Sequence, residues 1–107
     1  MGSKLDDLLN SEFYKTHPGF DCSEIAEEFY DVANRQGKIY RIEGKNGLIN
    51  GYEYGKIEEY LYHEVYSDGF NIFDPRYSNV PVPKGDYFRM LKEINIHGFK
   101  VYERIIE

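Results

Sequence analysis

The stretch Leu61-Tyr62-His63-Glu64-Val65-Tyr66-Ser67-Asp68-Gly69-Phe70-Asn71-Ile72-Phe73-Asp74 reads as a β-hairpin. Its flanks are aromatic and β-branched, and Asp68-Gly69 suits a two-residue turn whose central residues both need φ > 0. With that turn, Ser67 faces Phe70, Val65 faces Ile72, and His63 stands opposite Asp74 on the same face. Directly opposed residues have Cβ atoms roughly 4.5 to 5.5 Å apart, so the hairpin alone pairs an imidazole with a carboxylate. A nucleophile is then the missing group, and the chain's only cysteine is Cys22.

Working outward toward the N-terminus, Asp21 and Glu24 have the spacing of a capping box. Cys22, Ile25, Ala26, Phe29, Val32 and Ala33 fall on one stripe, with Glu27, Glu28, Asp31 and Asn34 outside it, and Gly37 is the stop signal. The spacing predicts a helix over 22–36 with Cys22 in its first turn. Before it, Leu5, Leu8, Leu9 and Phe13 predict a short amphipathic helix over Lys4–Tyr14, broken by Lys15-Thr16-His17-Pro18-Gly19. Met1-Gly2-Ser3 reads as an expression scar, with the natural chain continuing upstream.

Beyond the helix, Lys38–Glu43 alternates as a strand. Gly44–Gly55, with Asn46-Gly47 and Asn50-Gly51, reads as a loop or loose surface hairpin, and Ile57–Ser67 as the strand that carries His63. Pro75 ends the partner strand, Arg76–Pro83 crosses over, Lys84–Asn95 is a second helix starting near Gly85 or Asp86, and Phe99–Ile106 is a terminal strand. The pattern gives a single α+β domain over 1–107 in which the cysteine-bearing helix packs on a small antiparallel sheet with one inserted helix.

A chain of 107 residues buries roughly 60 to 65% of its unfolded surface and folds without staples. Its formal net charge of −6 disfavours a nucleic-acid partner, since that affinity comes mostly from Lys and Arg displacing counterions. One cysteine makes no internal disulfide, and no apolar run is long enough for a membrane span. His17, His63 and His97 show no metal-ligand spacing, so neither a metal nor a cofactor is expected. The tyrosines at 52, 54, 60, 62 and 66 suit sheet packing, or else an aromatic wall along a cleft.

The placement of Cys22 carries chemistry. A helix N-terminus lowers a thiol's pKa through its unpaired N–H groups and positive dipole end. A neighbouring imidazole then takes the proton and returns it to a leaving amine, and a carboxylate holds the imidazole's tautomer. Three readings follow. One is a cysteine enzyme built from Cys22, His63 and Asp74. Another is a ribonuclease using His63 with His17 or His97, drawing on Arg35, Lys38, Arg41, Lys45 and Lys56. The third is a noncatalytic binding or immunity protein, in which Cys22 is buried far from His63.

Phe20-Asp21-Cys22 with Ile25-Ala26 and a glycine-terminated helix, then His63-Glu64-Val65, Asp68-Gly69, Phe73-Asp74-Pro75 and a short helix, resembles the small papain-fold toxin domains of bacterial polymorphic toxin systems. The resemblance runs over about residues 20–95 and implies a minimal papain-like fold, with 4–19 a helix and loop in front of a core over 20–107. It implies Cys22 as nucleophile, His63 as general base and acid, and Asp74 as the orienting residue. It also implies a domain delivered as the C-terminal part of a larger secreted protein, attacking a peptide bond or a glutamine side chain of a protein in the target-cell cytoplasm. A cognate immunity protein would hold it in check. Papain-like peptidases usually carry a glutamine a few residues before the cysteine; Thr16-His17-Pro18-Gly19 stands there instead, which leaves the Cys22 N–H as the one oxyanion donor the resemblance supplies.

Overall fold

The computed structural model describes residues 4–105; the Met1-Gly2-Ser3 reading and the far end of the expected terminal strand, Ile106, lie outside the described residues. The fold is α+β. In chain order the elements are α1 (Lys4–Asn10), α2 (Phe13–Thr16), α3 (Cys22–Val32), β1 (Lys38–Gly44), β2 (Ile49–Glu53), β3 (Lys56–Tyr60), β4 (His63–Ser67), β5 (Asn71–Phe73), β6 (Val82–Pro83), α4 (Lys84–Ile94) and β7 (Phe99–Glu103). Five strands form an antiparallel sheet in the order β6-β5-β4-β1-β7, and β2 pairs with β3 in a separate two-stranded sheet.

Both faces of the large sheet are covered. Strand side chains alternate between faces, so Tyr40, Ile42, Val65 and Ile72 pack with Tyr87 and Leu91 of α4, and Ile49 of β2 joins them. On the opposite face Tyr66 and Phe73 meet Ile25 and Phe29 of α3, with Leu9 and Tyr14 closing that layer. All five residues of β4 are therefore buried.

The polar residue that β4 sends toward the α3 side, Glu64, is satisfied by two cations. Its carboxylate accepts from Arg104 Nη1 at 2.8 Å and Arg41 Nη1 at 3.4 Å, and Arg104 also binds Glu27 of α3. A buried carboxylate without such partners would be strongly destabilising.

Several expectations are corrected. The stretch 4–14 is two short helices, because the chain breaks at Ser11-Glu12 and resumes at Phe13. The helix predicted over 22–36 ends at Val32, with Ala33 as its C-cap and Asn34 and Arg35 both in the left-handed region at φ 57° and 58°. The expected strand 57–67 is two strands in different sheets, separated at Leu61-Tyr62. The segment 44–55, expected as a loop or loose surface hairpin, holds the first strand of a hairpin completed by β3, and its Ile49 is fully buried rather than at the surface.

The hairpin register also differs. Tyr66 pairs with Phe73 and Ser67 with Ile72, so four residues rather than two make the turn. The Asp68 carboxylate accepts from the Phe70 and Asn71 N–H groups, and Ser67 Oγ accepts from Gly69 N–H. These side-chain bonds stabilise the wider loop and leave Phe70 81% exposed, where the two-residue turn had put it opposite Ser67. The shift is by two, an even number, so every side chain keeps its face.

The α3–β1 connection is tight. Gly37 has φ +98°, and a Cβ there would collide with the Ser67 carbonyl and the Tyr66 hydroxyl, which itself donates to the Gln36 carbonyl at 2.7 Å. Gly37→Ala is expected to cost about 2 kcal/mol or more, from left-handed strain plus displacement of Tyr66. Urea unfolding read by circular dichroism measures it, and a loss under about 0.5 kcal/mol, the range of an ordinary surface change, would contradict the assignment.

Candidate active site

The α3 N-terminus is built as the capping box requires. Asp21, extended at φ −85° and ψ 173°, accepts the Glu24 N–H on Oδ1 at 2.8 Å, and Glu24 Oε1 accepts the Asp21 N–H at 3.2 Å. Cys22 is therefore the first helical residue, where end amides have no partner within the helix and the dipole favours negative charge. The residue is 8% exposed, and its thiol reaches the start of β4, donating to the Tyr62 carbonyl at 3.9 Å.

The break between β3 and β4 opens the cleft in which this happens. Cys22 lines a depression of about 390 Å³ together with Phe20, Tyr60, Leu61, Tyr62 and Arg76. Tyr60 stacks on the His63 ring at 5.8 Å, and the Arg41 guanidinium covers the Tyr62 ring at 3.8 Å. Of the five tyrosines read as sheet packing or cleft wall, Tyr60 and Tyr62 line the cleft and Tyr66 is core.

His63 lies directly behind the cleft, almost wholly buried at the first position of β4. Its Nε2 is 3.1 Å from Asp74 Oδ2, across the four-residue turn. The Tyr87 hydroxyl of α4 donates to the same oxygen at 2.6 Å and stands 2.9 Å from Nε2. Asp74 Oδ1 accepts the Arg76 N–H at 3.1 Å, and the Arg76 guanidinium donates to the Phe20 carbonyl at 2.6 Å, tying the Asp74 turn to the loop that carries Cys22. The other ring nitrogen, Nδ1, is buried with no hydrogen-bond partner, and Cys22 is close enough to act on the imidazole electrostatically.

The electrostatics follow from these contacts. Burial disfavours the imidazolium and is the largest single influence on His63. The Asp74 hydrogen bond and then the Cys22 sulfur together outweigh it, lifting the pKa from 6.5 to about 9. Asp74 moves the other way: burial raises its pKa, but His63 first and Tyr87 after it hold the carboxyl below its usual range. Protonated His63 accordingly stabilises the fold fully below 6.5, and that contribution is lost as pH rises through about 9. Ionised Asp74 stabilises above its ordinary value, and its contribution is lost as pH falls through the lowered one.

The three residues singled out from sequence thus come together: Cys22 from α3, His63 from β4 and Asp74 from the end of β5. His17 and His97 do not join them. His17 stacks on Phe13 at 4.1 Å, with Nδ1 2.8 Å from the Phe13 carbonyl, and His97 lines a separate depression with Asn46, Asn50 and Asn95. Of the cations that a basic cleft would need, Arg35, Lys38 and Arg41 are each paired with a carboxylate. No group of three or more His, Cys, Asp or Glu able to hold a metal occurs among the described residues. No described helix is long and apolar enough to cross a membrane.

Sequence reasoning missed Tyr87 and Arg76. Tyr87 falls on the apolar stripe of its helix, where its spacing is that of a core residue, and Arg76 sits in an irregular crossover where no periodicity aims a side chain. Compared with protein-family models, with curated proteins and with solved structures, the chain matches none.

The pair is open to a direct check. Titrated by ¹⁵N NMR, His63 is expected to deprotonate near pH 9, and in Asp74→Asn its pKa should drop by at least about one unit, because burial is then opposed mainly by Cys22. An unchanged value in the variant would mean that Asp74 does not hold the imidazole.

Proposed function

We propose that this protein is a papain-like cysteine amidohydrolase that acts as a bacterial toxin effector domain on a protein of the target cell. One observation carries the chemistry: a cysteine at a helix mouth lies beside an imidazole whose unpartnered Nδ1 is on offer while its Nε2 is held by a buried carboxylate. That arrangement gives the Cys22 thiol a nearby imidazole to take its proton, which is how a cysteine nucleophile is activated.

In the reaction, the Cys22 thiolate attacks an amide carbon. A C–S bond forms, and the carbonyl π electrons move onto oxygen, which the Cys22 N–H at the helix mouth helps to hold. The oxyanion collapses, the C–N bond breaks, and the amine or ammonia leaves with the proton from His63 Nδ1. Water then attacks the thioester and gives a proton to Nδ1. The C–S bond breaks, releasing the acid and restoring the thiolate–imidazolium pair. Asp74 holds the imidazole throughout by accepting from Nε2.

The toxin role, delivery as the C-terminal part of a larger secreted protein and restraint by a cognate immunity protein rest on the resemblance of the segments around Cys22, His63 and Asp74 to the papain-fold toxin domains. An amide of a peptide bond and one of a glutamine side chain call for the same attack and differ in what the cleft presents to Cys22.

Cys22→Ala is expected to fold as the wild type and to lose toxicity on expression in a susceptible bacterium, with survival rising at least about a hundredfold. A folded variant that still kills would rule out the thiol mechanism. Incubation of the wild type with target-cell lysate, read for released ammonia and for new peptide termini, assigns the amide that is cut.

A further inference from the structure

We propose that Tyr87 is a positioning residue of the thiol site: its hydroxyl fixes the Asp74 carboxylate, joins it in requiring a proton on Nε2 of His63, tempers the pull of the carboxylate on that proton, and so leaves Nδ1 as the nitrogen that serves Cys22. As a statement about the reaction it rests on the amidohydrolase reading; its geometry stands apart from it.

The hydrogen-bond inventory around one oxygen leads there. A tyrosine hydroxyl has one proton to give. At 2.6 Å from Asp74 Oδ2, the Tyr87 proton is committed to the carboxylate, and this bond is shorter than the 3.1 Å bond from His63. The phenol oxygen, 2.9 Å from Nε2, is then left only lone pairs to offer it. Nε2 therefore faces two acceptors, the carboxylate and the phenol oxygen, and only a protonated Nε2 satisfies both. In the neutral ring the lone pair is consequently on Nδ1, the nitrogen with no other partner.

The hydroxyl is held where this requires. Tyr87 is 1% exposed, and its ring is fixed edge-on between Tyr77 at 5.6 Å and Phe88 at 5.9 Å. Burial and then the Asp74 charge keep the phenol protonated well above its ordinary range, so the donor persists wherever the enzyme would work. The groups facing the cluster are Cys22 from α3, the Tyr60 ring from β3, Tyr54 in the β2–β3 turn, the Arg76 N–H after β5 and Tyr77. None of these replaces the Tyr87 bond to Oδ2. Because that bond draws charge from the carboxylate, it also moderates the pull of Asp74 on the Nε2 proton.

Tyr87→Phe removes only the hydroxyl. ¹⁵N NMR of the whole chain should show the His63 pKa rising by at least about 0.3 units, because the carboxylate no longer shares its charge with the phenol, while the neutral ring keeps its proton on Nε2 against Asp74. A ring-fluorinated tyrosine at position 87, a stronger donor of nearly the same shape, should shift the pKa downward and keep the single tautomer; it serves equally if Tyr87→Phe does not fold. With p-nitrophenyl acetate as the acyl probe, deacetylation of Cys22 in Tyr87→Phe should slow about fivefold and its acidic limb should move up with the His63 pKa. A His63 pKa unmoved by both changes would reduce Tyr87 to packing and overturn the assignment. Opposite NMR shifts in the two proteins, without acylation of wild-type Cys22, would sink the amidohydrolase reading and leave the hold of Tyr87 on the pair intact.

Discussion

The Asp74 carboxylate is buried, and a charge in that position is tolerated only while donors surround it. Four segments of the fold are tied together by meeting that need. β4 brings His63, α4 brings Tyr87, the turn after β5 brings the Arg76 N–H, and the Arg76 side chain carries the link on to Phe20, two residues before Cys22. Taking the ion pair out of water costs several kcal/mol per charge, and mutual attraction with complete hydrogen bonding offsets it. Such a cluster adds little net stability when intact, yet removing one partner leaves the others uncompensated. The interaction therefore specifies a geometry more than it strengthens a core.

β4 bears a second buried charge on its other face. Glu64 follows His63 by one residue, so it points toward α3, where Arg41 and Arg104 neutralise it. Arg104 in turn reaches Glu27 of α3, and Arg41 covers Tyr62 at the cleft rim. One strand thus anchors two polar clusters back to back, each connected to the cysteine helix by a different route. The helix is seated on the sheet by Ile25 and Phe29 and braced by Glu27, and its first residue reaches the strand break at Leu61-Tyr62. A continuous strand from 57 to 67 would have closed the gap that now forms the cleft.

Much of this was legible in local sequence because the signals were local. The Asp21–Glu24 capping box determines where α3 begins, and so places Cys22 at the helix mouth without any tertiary information. Period-two alternation put His63 and Asp74 on one face, a conclusion that survives any even error in register. What escaped depends on distant parts of the chain. The left-handed residues Asn34 and Arg35 shorten α3 where propensity would have let it run, so that Gly37 can pass close to Ser67 and Tyr66. Ile49 was hidden in a glycine-rich segment because the burial of β2 comes from α4 and β1, which no local pattern announces. Tyr87 looks like any apolar stripe residue until the helix is docked and its hydroxyl meets a carboxylate thirteen residues away.

The register itself shows why a sequence argument can place the right residues in the wrong relation. With a two-residue turn, His63 and Asp74 would be directly opposed, with Cβ atoms roughly 5 Å apart and little space between them for a third side chain. In the register that forms, Tyr66 pairs with Phe73, so one step beyond the ladder it is Val65 that faces Asp74, and His63 approaches along the diagonal. Diagonal neighbours on one face are roughly 7 to 8 Å apart, a distance an imidazole ring spans while leaving room beside it. The Tyr87 hydroxyl occupies that room, within hydrogen-bond reach of both partners. The Asp68 and Ser67 side-chain bonds that widen the turn act through the backbone at the far end of the hairpin. By setting the stagger of two strands, they decide that the carboxylate is held by three protein donors instead of two.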